Sequence, residues 1–169
     1  MTARIFETAR HSTAYLESGP ADGPALVFLH GWPELGFMWE RQLEFFGARG
    51  YRCIASDMRG YGGSSAPVRL EDYALEEIVT DMVELLAGVG CERAIWVGHD
   101  WGSPVVWALA GHQPQLCRAA VSLCVPYQKD GFAPETLVPL VDRRIYPEAT
   151  FPTGQWDYQF FYRASFAAA

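Results

Sequence analysis

The chain has 169 residues, half of them hydrophobic and a fifth charged, with 13 basic against 20 acidic side chains and a net charge of −7. That composition suits one compact globular unit, or part of a larger protein, and excludes a disordered or low-complexity chain. The chain has no basic run, no apolar stretch long enough to span a bilayer and no C-x-x-C pair among its 4 cysteines, which argues against nucleic-acid, membrane and zinc or redox roles.

The first ten residues hold no apolar h-region, so no secretory leader is expected there. Arg4–Thr8 and Thr13–Leu16 read as the two short strands of a hairpin. Ala25–His30 follows Gly23-Pro24 and is apolar along nearly its whole length, which predicts a buried strand. Met38–Ala48 carries a helical pattern through Trp39, Leu43 and Phe46, ending near Gly47 and Gly50. Arg52–Asp57 is a further strand. Leu75, Ile78, Val79, Met82, Leu85 and Leu86 recur at helical spacing, and Gly88 and Gly90 stop that helix.

Ala94–Gly98 reads as a strand, and Gly102–Gly111 as a helix with Pro104 in its first turn, where the missing N–H does no harm. Ala119–Val125 is one more strand. Strands alternating with helices imply βαβ units, a parallel sheet and right-handed crossovers. Beyond Tyr127 the pattern changes to short helical pieces punctuated by Pro134, Pro139, Pro147 and Pro152. Residues 1–126 are therefore expected to form a core, and 127–169 an insertion leaving the sheet. Cys53, Cys91, Cys117 and Cys124 are expected to be reduced, buried thiols of a cytoplasmic protein.

The strongest chemical signal is Gly98-His99-Asp100-Trp101-Gly102, set between a strand and a helix. It has the G-x-nucleophile-x-G form of a nucleophile elbow, with Asp100 in the reactive slot. The turn is so tight that side chains two positions either side of the nucleophile would collide, hence the glycines. The plainer alternative is a capping Asp in an ordinary βα turn. His30-Gly31-Trp32-Pro33 ends the Ala25–His30 strand. A loop there, together with the residue after a nucleophile, supplies backbone N–H groups to an oxyanion hole. Those donors would be Trp32 and Trp101. The plainer alternative is a strand-ending turn.

Together with Asp57-Met58-Arg59-Gly60-Tyr61-Gly62-Gly63-Ser64-Ser65, these motifs resemble, in order, those of the epoxide hydrolases of the α/β-hydrolase superfamily, from about Tyr15 to Tyr162. Gly60-x-Gly62 is not a dinucleotide fingerprint, because Ser65 stands where a Gly or Ala is needed. The resemblance implies an α/β-hydrolase fold: a mostly parallel sheet flanked by helices, with the start of a helical cap at 127–169. It also implies that Gly154-Gln155-Trp156-Asp157-Tyr158-Gln159 is a cap segment in which Tyr158 hydrogen-bonds the epoxide oxygen and donates the proton that an alkoxide leaving group requires. Asp100 would form a covalent ester that water then hydrolyses to a vicinal diol, without a metal or organic cofactor. Phe37 and Tyr127, with Trp101, Phe132 and Phe160, would line an apolar cavity, though each also suits plain packing.

The sequence departs from the family pattern in several places. His11, His30, His99 and His112 are all poorly placed to serve as the water-activating base. No carboxylate stands at the end of Ala119–Val125, a second cap tyrosine has no counterpart, and Arg163 stands where relatives carry an acid. The sheet is expected to be incomplete at its C-terminal edge, which would leave Ala119–Val125 exposed. The partners expected are a small apolar epoxide-type substrate and, to cover that edge, either a second copy of the chain as a homo-oligomer or a missing C-terminal half. Two further readings stay open. One is haloalkane dehalogenation on the same Asp elbow, with indole N–H groups serving the halide. The other is a catalytically incomplete chain that needs a second one.

Overall fold

The computed structural model describes residues 1–127, which form one compact unit. Six strands make a single sheet: β1 (Thr2–Glu7), β2 (Ser12–Ser18), β3 (Ala25–Leu29), β4 (Arg52–Ser56), β5 (Ala94–His99) and β6 (Cys117–Leu123). Their order is β1-β2-β4-β3-β5-β6. The β1–β2 hairpin and its β2–β4 junction are antiparallel, and β4, β3, β5 and β6 run parallel. Three helices flank the sheet: α1 (Glu40–Gly47), α2 (Leu75–Gly88) and α3 (Gly102–His112).

The continuous apolar run of β3 follows from its place at the centre of the sheet. Side chains alternate across a strand, so Val27 and Leu29 enter one core while Leu26 and Phe28 enter the other. The first core packs them with Met82, Leu85 and Leu86 of α2 and Val105, Val106 and Leu109 of α3. The second packs them with Trp39, Leu43 of α1, Cys53 and Val97. All five residues of β3 are buried. This double covering pins β3, β4 and β5 and presents their carboxyl ends together, where open α/β sheets bind ligands.

Several sequence expectations require correction. The pattern read as one helix over 38–48 is a 3₁₀ turn at Gly36–Trp39 followed by α1. The Gly36 N–H donates to Asp57 Oδ1 at 2.8 Å, and this bond anchors the start of the turn. The last strand lies two residues earlier than expected, because Pro114–Leu116 ends in a short turn at Cys117, which pairs with Ala94. It stops at Leu123 because Cys124 adopts a φ of 75°. Only Cys53 is fully buried; Cys124 is exposed. Burial pushes the Cys53 thiol up to about 11, which leaves it protonated and inert at neutral pH. Among the described residues β6 is the outermost strand of the sheet, and Val121 and Leu123 on it are exposed. Among the described residues, no helix is long and apolar enough to cross a membrane.

Away from the strand ends, Asp81 of α2 is buried and held by both ends of the Arg59 guanidinium, at 2.6 and 2.7 Å. Arg10 reaches the same carboxylate from the hairpin. His11 lies buried beside it, with Nε2 3.7 Å from Asp81 Oδ2. This network ties the hairpin and the loop after β4 to α2.

Candidate active site

Asp100 sits between β5 and α3 with a φ of 50°, a left-handed backbone that a non-glycine residue adopts only under constraint. The neighbouring chain imposes that constraint. A Cβ on Gly98 would lie 2.6 Å from the carbonyl carbon of Gly102 and 2.8 Å from Ser103 N. A Cβ on Gly102 would lie 2.8 Å from the carbonyl carbon of Leu29. Both glycines of the elbow are therefore required, one for the turn itself and one for the approach of α3 to β3. Ser103 N–H donates to Asp100 O at 3.0 Å, and Asp100 N–H donates to Leu123 O at 3.3 Å. The hydroxyl of Ser103 bonds Gly98 O and Leu123 O, both at 3.1 Å, and staples the elbow to β6.

The loop after β3 meets the elbow directly. Trp32 N–H donates to Asp100 Oδ1 at 2.8 Å. Gly31 allows the approach, since a Cβ there would lie 2.7 Å from Asp100 Cγ. Trp101, the other expected donor, is the residue that caps α3, and its side chain is half exposed. The α3 N-terminus lies next to the carboxylate and favours negative charge there.

His30 is fully buried below this loop. Its Nδ1 lies 2.8 Å from Gly31 O, and its Nε2 lies 2.9 Å from the Met58 N–H. A carbonyl can only accept and an N–H can only donate, so the ring is neutral with its proton on Nδ1. Burial lowers its pKa from the ordinary 6.5, which keeps it in that form. The Tyr61 ring packs edge-on against it, with centroids 4.9 Å apart. Burial, and secondarily the Asp100 charge, raises the Tyr61 phenol. The Asp57 carboxylate is a backbone clamp, accepting from Gly36 N–H at 2.8 Å and Gly63 N–H at 3.0 Å.

Phe37 and Tyr127 both follow carboxyl ends of strands and are largely exposed; Tyr127 also packs edge-on against Trp107 of α3. His99 precedes Asp100, with Nδ1 buried and unpartnered among the described residues. His11 is remote, beside Asp81, and His112 ends α3. Tyr158, Phe132, Phe160 and Arg163 lie outside the described residues. An open cavity of about 390 Å³, lined by Arg4, Tyr15, Glu17 and Arg52 among others, lies at the amino ends of the parallel strands and takes no part in this site. The roles of His30 and Asp57 were missed in the sequence. The regular H-G-x-P and D-x-R-G motifs marked both loops but not the bonds between them.

A strained Asp turn, a backbone N–H donated to its carboxylate and a parallel sheet covered on both faces come together at this site. The chain belongs to the α/β hydrolase fold family, whose model matches residues 24–165. It is 40% identical over 125 residues to epoxide hydrolase A of Mycobacterium tuberculosis, a match covering 74% of this chain and 39% of that protein. It is 42% identical to bifunctional epoxide hydrolase 2 of Sus scrofa, over 67% of this chain and 20% of that one. The solved epoxide hydrolase A from Mycobacterium thermoresistibile superposes with a TM-score of 0.77 at 36% identity, over 84% of this chain and 45% of its own. An epoxide hydrolase from Vigna radiata gives 0.75 at 34%, over 82% and 44%. The chain thus spans less than half the length of each of these relatives.

Proposed function

We propose that this chain carries the nucleophilic half of an epoxide hydrolase site, in which Asp100 opens an epoxide to a covalent ester. The observation that carries the reading is the 2.8 Å bond from Trp32 N–H to Asp100 Oδ1 at a strained elbow. It distinguishes the two carboxylate oxygens. Oδ1 is held, so Oδ2 attacks an epoxide carbon from behind. The ring C–O bond breaks and the released alkoxide takes a proton, which the family resemblance assigns to Tyr158. Oδ1 becomes the ester carbonyl oxygen. When water attacks that carbonyl, negative charge gathers on an atom already facing the Trp32 N–H, with the Trp101 N–H as second donor. The vicinal diol then leaves. None of the four histidines is placed to activate that water, so the ester is expected to accumulate on this chain.

The substrate class is a small apolar epoxide. Its support is the set of exposed rings, Trp32, Phe37, Trp101 and Tyr127, which follow the carboxyl ends of β3, β5 and β6. Four free cysteines fit a reducing, cytoplasmic setting. The test is incubation with styrene oxide followed by mass spectrometry of the peptide bearing Asp100. One added epoxide on Asp100, absent in Asp100→Asn, supports the reading; an unlabelled Asp100 refutes it. A second reading, haloalkane cleavage, rests on the half-exposed Trp101 indole beside the nucleophile. Release of bromide from an alkyl bromide, with no labelling by styrene oxide, would favour it.

A further inference from the structure

The bonds around His30 lead beyond the nucleophile to what sets its oxyanion donor. Gly31 C=O and Trp32 N–H belong to one peptide group. In a trans peptide the two point in opposite directions along a rigid plane. His30 Nδ1–H holds the carbonyl end at 2.8 Å, and Asp100 Oδ1 meets the N–H end at 2.8 Å. The opposite ring nitrogen is fixed by Met58 N–H at 2.9 Å, and the ring face by Tyr61. We infer that His30 is the positioning residue of the oxyanion hole: through the Gly31–Trp32 peptide plane it sets the direction of the N–H that receives the developing charge.

The chain of contacts is short and wholly buried at its base. Met58 follows Asp57, whose carboxylate is itself clamped by Gly36 and Gly63 N–H. The aim of the Trp32 donor is therefore referred, through one imidazole, to the end of β4. A second donor shares the load, since Glu34 N–H also bonds Gly31 O at 3.0 Å. Loss of His30 thus tilts the plane rather than freeing it. Removing an oxyanion donor outright costs about 10²–10³-fold, so a tilt is expected to cost about tenfold.

This inference rests on the ester reading above, and its test separates the two. Three variants divide the functions of the ring. His30→Phe fills the space without either bond. His30→Asn keeps an N–H near the Nδ1 position. His30→Gln offers its polar group near the Nε2 position, toward Met58. The first readout is the Trp32 amide proton in NMR spectra of the whole chain. In His30→Phe and His30→Gln it should move toward its position in Asp100→Ala, and in His30→Asn it should stay near that of the unsubstituted chain.

The second readout is cleavage by hydroxylamine of the ester formed from styrene oxide, which leaves a hydroxamate on Asp100 and releases the diol. It should slow about tenfold in His30→Phe while the rate of ester formation changes less than about threefold, with cleavage restored in His30→Asn. An unmoved Trp32 amide and unchanged cleavage in a folded His30→Phe would overturn the inference. If that variant does not fold, equal behaviour of the Asn and Gln variants overturns it. If the unsubstituted chain forms no ester, the functional reading fails, and the amide resonance alone decides the role of His30.

Discussion

Gly31→Ala would place a methyl carbon against the Asp100 side chain. The added Cβ would press on Asp100 Cβ and Oδ1 and lie 2.7 Å from Asp100 Cγ, where ordinary contact begins at 3.4 Å, so the side chain must retreat by at least about 0.7 Å. Neither side yields easily. Asp100 is fixed by the elbow and by Ser103, and Gly31 O is held by His30 and Glu34. A misplacement of about 1 Å costs about 10²-fold in rate, so the variant should form the Asp100 ester on the order of 30- to 100-fold more slowly. The assay is the time course of ester appearance by mass spectrometry under excess styrene oxide, with thermal melting beside it. Gly111→Ala in α3 is the control, since a Cβ there meets nothing within 4 Å. It should gain about 0.5–1 kcal/mol and react at the parent rate. A folded Gly31→Ala variant that reacts as fast as the parent would refute the reasoning, because the close approach of the loop would then not be the reactive geometry.

Replacing Asp100 by Gly should stabilise the fold by about 1 kcal/mol, seen in urea unfolding, while abolishing ester formation, since the left-handed backbone suits glycine. Asp81→Ala strips a buried carboxylate from Arg59 and Arg10 and should cost about 3–5 kcal/mol by the same assay. Burial lowers both His11 and His30 below the ordinary 6.5. The unfolded chain therefore binds protons that the fold refuses, and the stability held by these neutral rings is complete above pH 6.5 and falls as pH drops from there toward the folded values. Melting temperature measured from pH 7 to pH 5 should show that decline, and His11→Phe should make it shallower. Val121→Lys with Leu123→Lys on β6, the outermost strand among the described residues, should lower light scattering of concentrated samples without moving the melting temperature by more than a few degrees.

The sheet and the elbow were legible because their signals are local. Ala25–Leu29 is apolar at every position and follows Gly23-Pro24, as a short strand covered on both faces requires. Gly98 and Gly102 announce the tight turn within five residues. What could not be read depends on distant partners. Arg10, Arg59 and Asp81 look like separate surface charges until the fold gathers them. His30 resembles a spare histidine until Met58, 28 residues on, offers its N–H. The start of α1 was misplaced for the same reason, because Gly36 is anchored by Asp57, 21 residues away. The shift of β6 has a simpler cause. Arg118 interrupts the apolar pattern, yet the strand register with β5 reaches back to Cys117 across a shift.

The Trp32–Asp100 bond joins residues 68 positions apart. Between them lie α1, β4, α2 and β5, and in the sheet β3 sits between β4 and β5. Closing so long a loop is entropically slow, and such parallel pairings form late relative to local helices. A nascent or refolding chain therefore holds an ordinary, weakly nucleophilic aspartate until β3 docks beside β5. On the proposed chemistry, a pulse of epoxide applied at successive times during refolding would tag only chains whose central strands had already come into register, so labelling of Asp100 would serve as a clock for the closing of the sheet.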